Sequence, residues 1–186
     1  MSIRPILFVY REIVPGDLRK LVAESNDSQT GGGARDLRFP AATFNPVMHR
    51  IFTVDGVGRG GRPIRSANVT YVDNEGDERQ TDLHYWPPTP SRKTEGRIAQ
   101  VHASPALGGQ TLATDKGRIF VVLTKYSDGG VRCDFAYEDE LKDKHLWAPE
   151  ASSQIFNCMA SAEVRKNRTV QGYYDFDEGT GYCHAD

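Results

Sequence analysis

Eight basic residues in three glycine-, proline- or serine-rich stretches are the side chains with chemistry to do. The first stretch is Thr30 to Pro40, TGGGARDLRFP, where Gly31, Gly32 and Gly33 lead into Arg35 and Arg38 around Asp36-Leu37. A glycine run lets the backbone come close to a partner that side chains would exclude. The stretch offers almost no apolar area for packing, so it reads as an arm presenting guanidinium groups to something anionic or planar. A flexible turn with solvated arginines is the alternative. The second stretch carries Arg59, Arg62 and Arg65 among glycines with no acid between them. The third carries Arg92, Lys93 and Arg97 with Glu95 among them. Arginine predominates, and a guanidinium can fork onto guanine O6 and N7 or onto phosphate, where lysine is a point charge. Glu95 can accept from a cytosine amino group or orient a neighbouring arginine.

Other chemistries find weaker footing. Glu140-Leu141-Lys142 is an ExK triplet with Asp134 six residues upstream. A metal-dependent nuclease uses such carboxylates to hold Mg²⁺ and the lysine near the attacking water. The triplet sits in a charged helical pattern, however, where such residues form ordinary surface pairs. The histidines His49, His84, His102, His145 and His184 lack ligand spacing, and Gly56 to Gly61 lacks the Lys-Ser/Thr of a phosphate cradle. No catalytic residue, metal ligand or cofactor is therefore assigned. Cys133, Cys158 and Cys183 are an odd number with no CxxC, and read as incidental thiols in a reducing cytoplasm. Tyr85, Trp86 and His84 read as strand-face or core residues rather than stacking platforms.

With 186 residues the chain is long enough for one domain with a real core. Net charge is −2, but residues 1 to 101 carry 14 Lys/Arg against 12 Asp/Glu, and residues 102 to 186 carry 9 against 13. Local clusters therefore matter more than the sum. No apolar run is long enough to span a membrane, and Ile6 to Tyr10 reads as a first strand rather than a signal peptide.

The elements that must hold the basic stretches are mostly strands. A short helix is expected from Asp17 to Glu24, with Asp17 as cap. Leu37 to Phe39 starts a strand. A helix is expected over Thr43 to Phe52, with Asn45 capping and Pro46 at the first helical position. Thr53 to Arg65 reads as an exposed loop. Ala67 to Val72 and Arg79 to Trp86 form a hairpin about Asp73 to Asp77. Ser91 to Arg97 is a second exposed loop. Arg118 to Tyr126 and Val131 to Tyr137 form another hairpin, followed by helices over Glu138 to Trp147 and Ala151 to Lys166. Residues 170–186 read as an acidic, Gly- and Tyr-rich tail outside a single domain of residues 1–169. Neighbouring strands joined by hairpin turns predict a mainly β (α+β) fold, an open antiparallel barrel with short helices at its ends.

The succession NDSQTGGGARDLRFP, helix, polar loop, strand pair, SRKTEGRI and GQTLATDKGRIFVVLTKYSDGG resembles the N-terminal effector domain of EcoRII-type restriction endonucleases. That domain has the DNA-binding pseudobarrel fold, shared with a family of plant transcription factors. The resemblance covers about Ser25 to Tyr137 at low identity. It rests on a Thr-Gly-Gly turn followed by Pro40, and on a basic-acidic-basic run ending in Arg97-Ile98. It implies two arms, near 30–38 and 91–98, that grip the major groove of double-stranded DNA. Arg35, Arg38, Lys93, Glu95 and Arg97 would then read bases, and Arg59, Arg62, Arg65 and Arg92 would hold phosphates. It implies a setting in restriction or another (antiviral) defence against foreign DNA, with the chain as a specificity module beside a separate nuclease domain or subunit, an excised domain or a stand-alone sensor, reading an unmodified or modified site; the cysteines place it in the cytoplasm. The family's first arm uses His and aromatic groups where this chain has Gly33 and Arg38, so the site read must differ. Two rival readings are a Mg²⁺-dependent nuclease using Asp134, Glu140 and Lys142, and a module that binds another protein.

Overall fold

A computed structural model describes residues 2–22, 35–142, 149–164 and 169–183. The chain is mainly β, with 42% strand and 25% helix, in the open antiparallel class that the hairpin pattern predicts. It divides into two compact units. One is Pro15–Gln110, and the other combines Met1–Val14 with Thr111–Asp186.

The discontinuous unit is a five-stranded antiparallel sheet. Its strands are β1 (Pro5–Glu12), β7 (Ile119–Tyr126), β8 (Val131–Tyr137), β9 (Gln171–Asp175) and β10 (Thr180–Cys183), in the order β10-β9-β1-β7-β8. β1 is the centre because it is apolar on both faces, Leu7 to Tyr10 being fully buried. It pairs with β7 on one side and β9 on the other. The helices α3 (Glu138–Lys142) and α4 (Pro149–Val164) follow β8. From α4, Ile155, Cys158 and Met159 pack on Phe8, Tyr10, Phe120 and Val122.

Two expectations fail in this unit. The segment from Val170 is no tail, because Val170 and Gln171 are buried and Leu7 to Arg11 supply a strand edge for it to pair with. Cys158 and Cys183 are not incidental thiols either. They form a disulfide between α4 and β10, with Cα atoms 5.6 Å apart. Twenty-five residues separate them in sequence, so only the return of β10 beside β9 brings them together. Cys133 remains a buried thiol. Burial above all, then the charge of Asp134, raises its pKa far above the ordinary thiol range.

The continuous unit holds α1 (Pro15–Val22), β2 (Leu37–Pro40), α2 (Ala41–Ile51), β3 (Val54–Val57), β4 (Pro63–Val72), β5 (Glu78–Trp86) and β6 (Glu95–Ile98). The strands pair antiparallel in the order β3-β4-β5-β6-β2. The hairpin expected between Ala67 and Trp86 is present, with Val72 opposite Glu78. Leu37, Phe39, Val69, Leu83, Tyr85 and Ile98 face inward, and α2 adds Phe44, Met48 and Ile51 to the buried set.

α2 starts earlier than its cap signal suggests, with Pro46 inside it. The Ala41 N–H is taken by the Thr94 carbonyl, and the Asn45 side chain accepts a hydrogen bond from the Tyr85 hydroxyl at 3.1 Å, so Asn45 is not the cap and Pro46 is not the first helical residue. α1 likewise begins at Pro15. Asp17 lies buried in the first turn of the helix and pairs with Lys20 Nζ at 2.6 Å. The expected loop over Thr53 to Arg65 contains β3 and the first residues of β4. Its turn closes through Gly58 N–H to the Arg62 carbonyl, with Gly60 and Gly61 at positive φ. Among the described residues, no helix is long and apolar enough to cross a membrane.

Candidate nucleic-acid interface

The antiparallel pairing of β2 with β6 places the roots of the two expected arms side by side. Leu37 lies opposite Ile98, and Arg38 opposite Arg97. Alternation does the rest, because a strand that buries Leu37 and Phe39 must turn Arg38 outward. β5 continues the row, with Trp86 opposite Arg97. One outer face therefore carries Arg38, Arg97 and Trp86 across three adjacent strands. The tip of the first arm, 30–34, lies outside the described residues.

An open concavity of about 620 Å³ adjoins this row. It is lined by Arg35, Arg59, Arg62 and Arg97, together with Trp86 and His102. Asp36 and Gln100 complete its wall. Each stretch singled out in the sequence thus sends at least one arginine to the same place. The β3–β4 turn delivers Arg59 and Arg62, whose side chains make no hydrogen bond or ion pair among the described residues. Gly58 lets that turn lie close to Trp86: a Cβ there would stand 3.1 Å from the indole and 2.7 Å from Ile64.

Arg97 is held from two sides. Its Nη1 donates to Asp36 at 3.0 Å, and its guanidinium carbon sits 5.3 Å from the Trp86 ring centroid. The pair is well buried, with side chains 14% and 9% exposed. The other oxygen of Asp36 accepts the backbone N–H of Gln100 at 3.3 Å. Among the described residues, Gln100 is the one non-glycine at positive φ, 52°. Such a conformation costs about 1–2 kcal/mol for an L-residue and persists where surrounding contacts impose it.

Arg35 is anchored through its carbonyl, which accepts from Val101 N–H. Its Nη1 lies 3.1 Å from His102 Nε2. A guanidinium can only donate, so Nε2 is the acceptor and the ring proton belongs on Nδ1. Nδ1 is buried with no hydrogen-bond partner among the described residues. Burial first, then the charge of Arg35, lowers the His102 pKa below its usual value, which favours that neutral ring.

The remaining basic residues are placed differently. Arg38 is exposed and forms an ion pair of 3.4 Å with Glu95. Arg92 and Lys93 are exposed on the turn before β6, where Arg92 exchanges backbone hydrogen bonds with Thr89. Arg65 does not join the concavity. It lies within β4 with its Nε 2.9 Å from an Asp55 oxygen. Reading the residues alone misses Asp36, Trp86, Gln100 and His102 as wall residues, because nothing local marks them.

The carboxylates proposed for a nuclease are engaged elsewhere. Glu140 accepts from Lys116 Nζ at 2.9 Å, and Asp134 lies 3.5 Å from Arg132. The one acidic cluster with metal-ligand proximity among the described residues is Asp73, Glu75 and Asp77, in the exposed β4–β5 turn. There Asp73 accepts the backbone N–H groups of Glu75 and Asp77 as well as Arg79 Nε, and these interactions, led by Arg79, lower its pKa. No protein-family model matches this chain, and no curated protein matches it significantly.

Proposed function

We propose that the continuous unit binds double-stranded DNA through the face formed by β2, β6 and the β3–β4 turn. The observation that carries this reading is the convergence of Arg35, Arg59, Arg62 and Arg97 on one concavity, with Asp36 as the single carboxylate in its wall among the described residues. Four guanidinium groups gathered against one acid form a local field that the near-neutral total conceals. Arg38 and Glu95, paired on the outer face beside Arg97, are the groups best placed to meet base edges, with Lys93 and Arg92 on the adjoining turn. Arg59 and Arg62 are the phosphate contacts. The setting implied by the resemblance is a cytoplasmic module that supplies specificity to a restriction or defence system, with cleavage left to a separate nuclease domain or subunit.

The test is a binding titration against a randomised duplex pool at two salt concentrations without metal. The reading expects one short motif to be enriched and affinity to fall steeply with salt. Arg38→Ala should then cost about 1–3 kcal/mol on the enriched site and little elsewhere. Arg59→Gln or Arg62→Gln should weaken all duplexes alike and flatten the salt dependence by about one unit each. Absence of salt-sensitive binding to any duplex would overturn the proposal. A pool made with modified cytosine or adenine distinguishes a reader of modified sites.

A further inference from the structure

The concavity is larger than a row of phosphate contacts requires. A groove wall that only follows a DNA backbone needs exposed cations and no depth. Here an open concavity of about 620 Å³ is lined by arginines and by an indole, a volume within the range of sites that take a small molecule. We propose that the concavity seats a single phosphorylated nucleoside, with its phosphate between Arg35, Arg59 and Arg62 and its base against the wall made by Trp86 and Arg97. The inference rests on the DNA reading for the source of that nucleotide, though not for the existence of the site.

Three observations support this seating. The guanidinium groups of Arg59 and Arg62 have no partner among the described residues, so an incoming phosphate displaces no internal ion pair there. Arg97 is already fixed, by Asp36 at 3.0 Å and by the Trp86 ring at 5.3 Å. It therefore presents a preorganised cationic wall, and bases stack on aromatic rings and guanidinium planes alike. Gln100, held at φ 52° beside the cavity, brings an amide to a wall that otherwise has donors but few groups able to both donate and accept. An amide of that kind suits the edge of a base.

The nucleotide has two sources, a free mononucleotide or one turned out of a duplex. A mispaired nucleotide is less costly to extrude than a paired one. The chain has two tryptophans, so Trp147→Phe leaves Trp86 as the sole indole reporter. This protein is titrated with each of the four deoxynucleoside 5′-monophosphates, with inorganic phosphate, and with two duplexes that differ by one mispair.

The expected result is saturable quenching of Trp86 by at least one mononucleotide, about tenfold or more tighter than phosphate. The Arg59→Gln/Arg62→Gln double variant should weaken it by about tenfold or more at unchanged thermal midpoint. Arg35→Gln serves as a second variant on a different element. With mononucleotide binding retained, tighter binding of the mispaired duplex assigns the nucleotide to DNA, and equal binding of the two duplexes assigns it to a free nucleotide. Equal affinity for phosphate and every mononucleotide, or no saturable binding, overturns the proposal. Duplex binding without mononucleotide binding removes the seat and leaves the DNA reading intact. Mononucleotide binding without duplex binding does the reverse.

Discussion

Asp36 has the most demanding position in the arginine-rich wall, because among the described residues it is the one acid there and both its oxygens are used. Removing one member of a buried ion pair leaves the other charge without compensation, at about 3–5 kcal/mol. Asp36→Ala should therefore lower the unfolding free energy by about 3 kcal/mol in urea titrations. Asp36→Leu combined with Arg97→Met should recover much of that loss while abolishing ligand binding. His102 makes a second prediction, in pH. Its pKa is lowered in the folded protein, so the unfolded chain binds more protons as pH falls below about 6.5. Its contribution to stability is thus complete above that pH and is lost on acidification. His49 is lowered too, mainly by burial and then by Arg65, and acts with the same sign. Urea midpoints from pH 8 to pH 5 should fall for the wild type and fall less steeply for His102→Gln. Identical curves would clear His102 of the effect.

The β2–β6 pair and the β3–β4 turn carry the arginines, and glycines make both arrangements fit. Gly96 lies on β6 beside Arg97, and a Cβ there would overlap the Tyr85 hydroxyl. That hydroxyl is packed under α2 and donates to Asn45, so it cannot move freely. Gly96→Ala should cost about 1–3 kcal/mol as an overpacked core site and should weaken the proposed DNA binding through displacement of Arg97. A normal thermal midpoint in this variant would contradict the packing described. In the turn, Gly60 and Gly61 have φ of 76° and 73° with open space around them. Alanine at either is opposed by backbone conformation alone, at about 1–2 kcal/mol. The loss should appear in affinity more than in global stability, because the turn is exposed. The hairpins about Asp73–Asp77 and Ser127–Gly130 were legible because turn residues separate alternating strands. β3 was not, since its four residues are exposed and its pairing with β4 depends on a glycine turn that reads as a loop.

The disulfide is the feature that bears on the protein's surroundings. Cys158–Cys183 closes a loop of 25 residues in the discontinuous unit and ties β10 to α4. In the chain-entropy account a loop of that length contributes about 3 kcal/mol, so Cys158→Ser or a strong reductant should lower the thermal midpoint of oxidised protein by several degrees. Thiol titration of unfolded, unreduced protein should find Cys133 alone. Such bonds persist in oxidising compartments and are uncommon in a reducing cytosol. The redox state of this pair in cells therefore tests the cytoplasmic setting proposed above. Three titratable thiols in freshly isolated protein, unfolded without reductant, would support it, and Cys133 alone would oppose it.

Residue order determined what depends on short windows of chain. These are the apolar runs of β1 and β7, the hairpin turns, the mainly β class, and the three arginine-rich stretches that local packing does not require. Tertiary structure decided what depends on contacts between distant segments. Arg35 and Arg97 are more than sixty positions apart, and they meet because β2 pairs with β6 in a register that buries Leu37 opposite Ile98. Trp86 and His102 become walls of a cavity through the same register, and Cys158 finds Cys183 through the pairing of β9 with β1 and β10. The physical reason is that turn and strand propensities act over a few residues, whereas the choice of strand neighbour is set by which apolar faces can be buried together. The arginines stand out in the sequence, but the concavity that gathers four of them exists only once the sheet has formed.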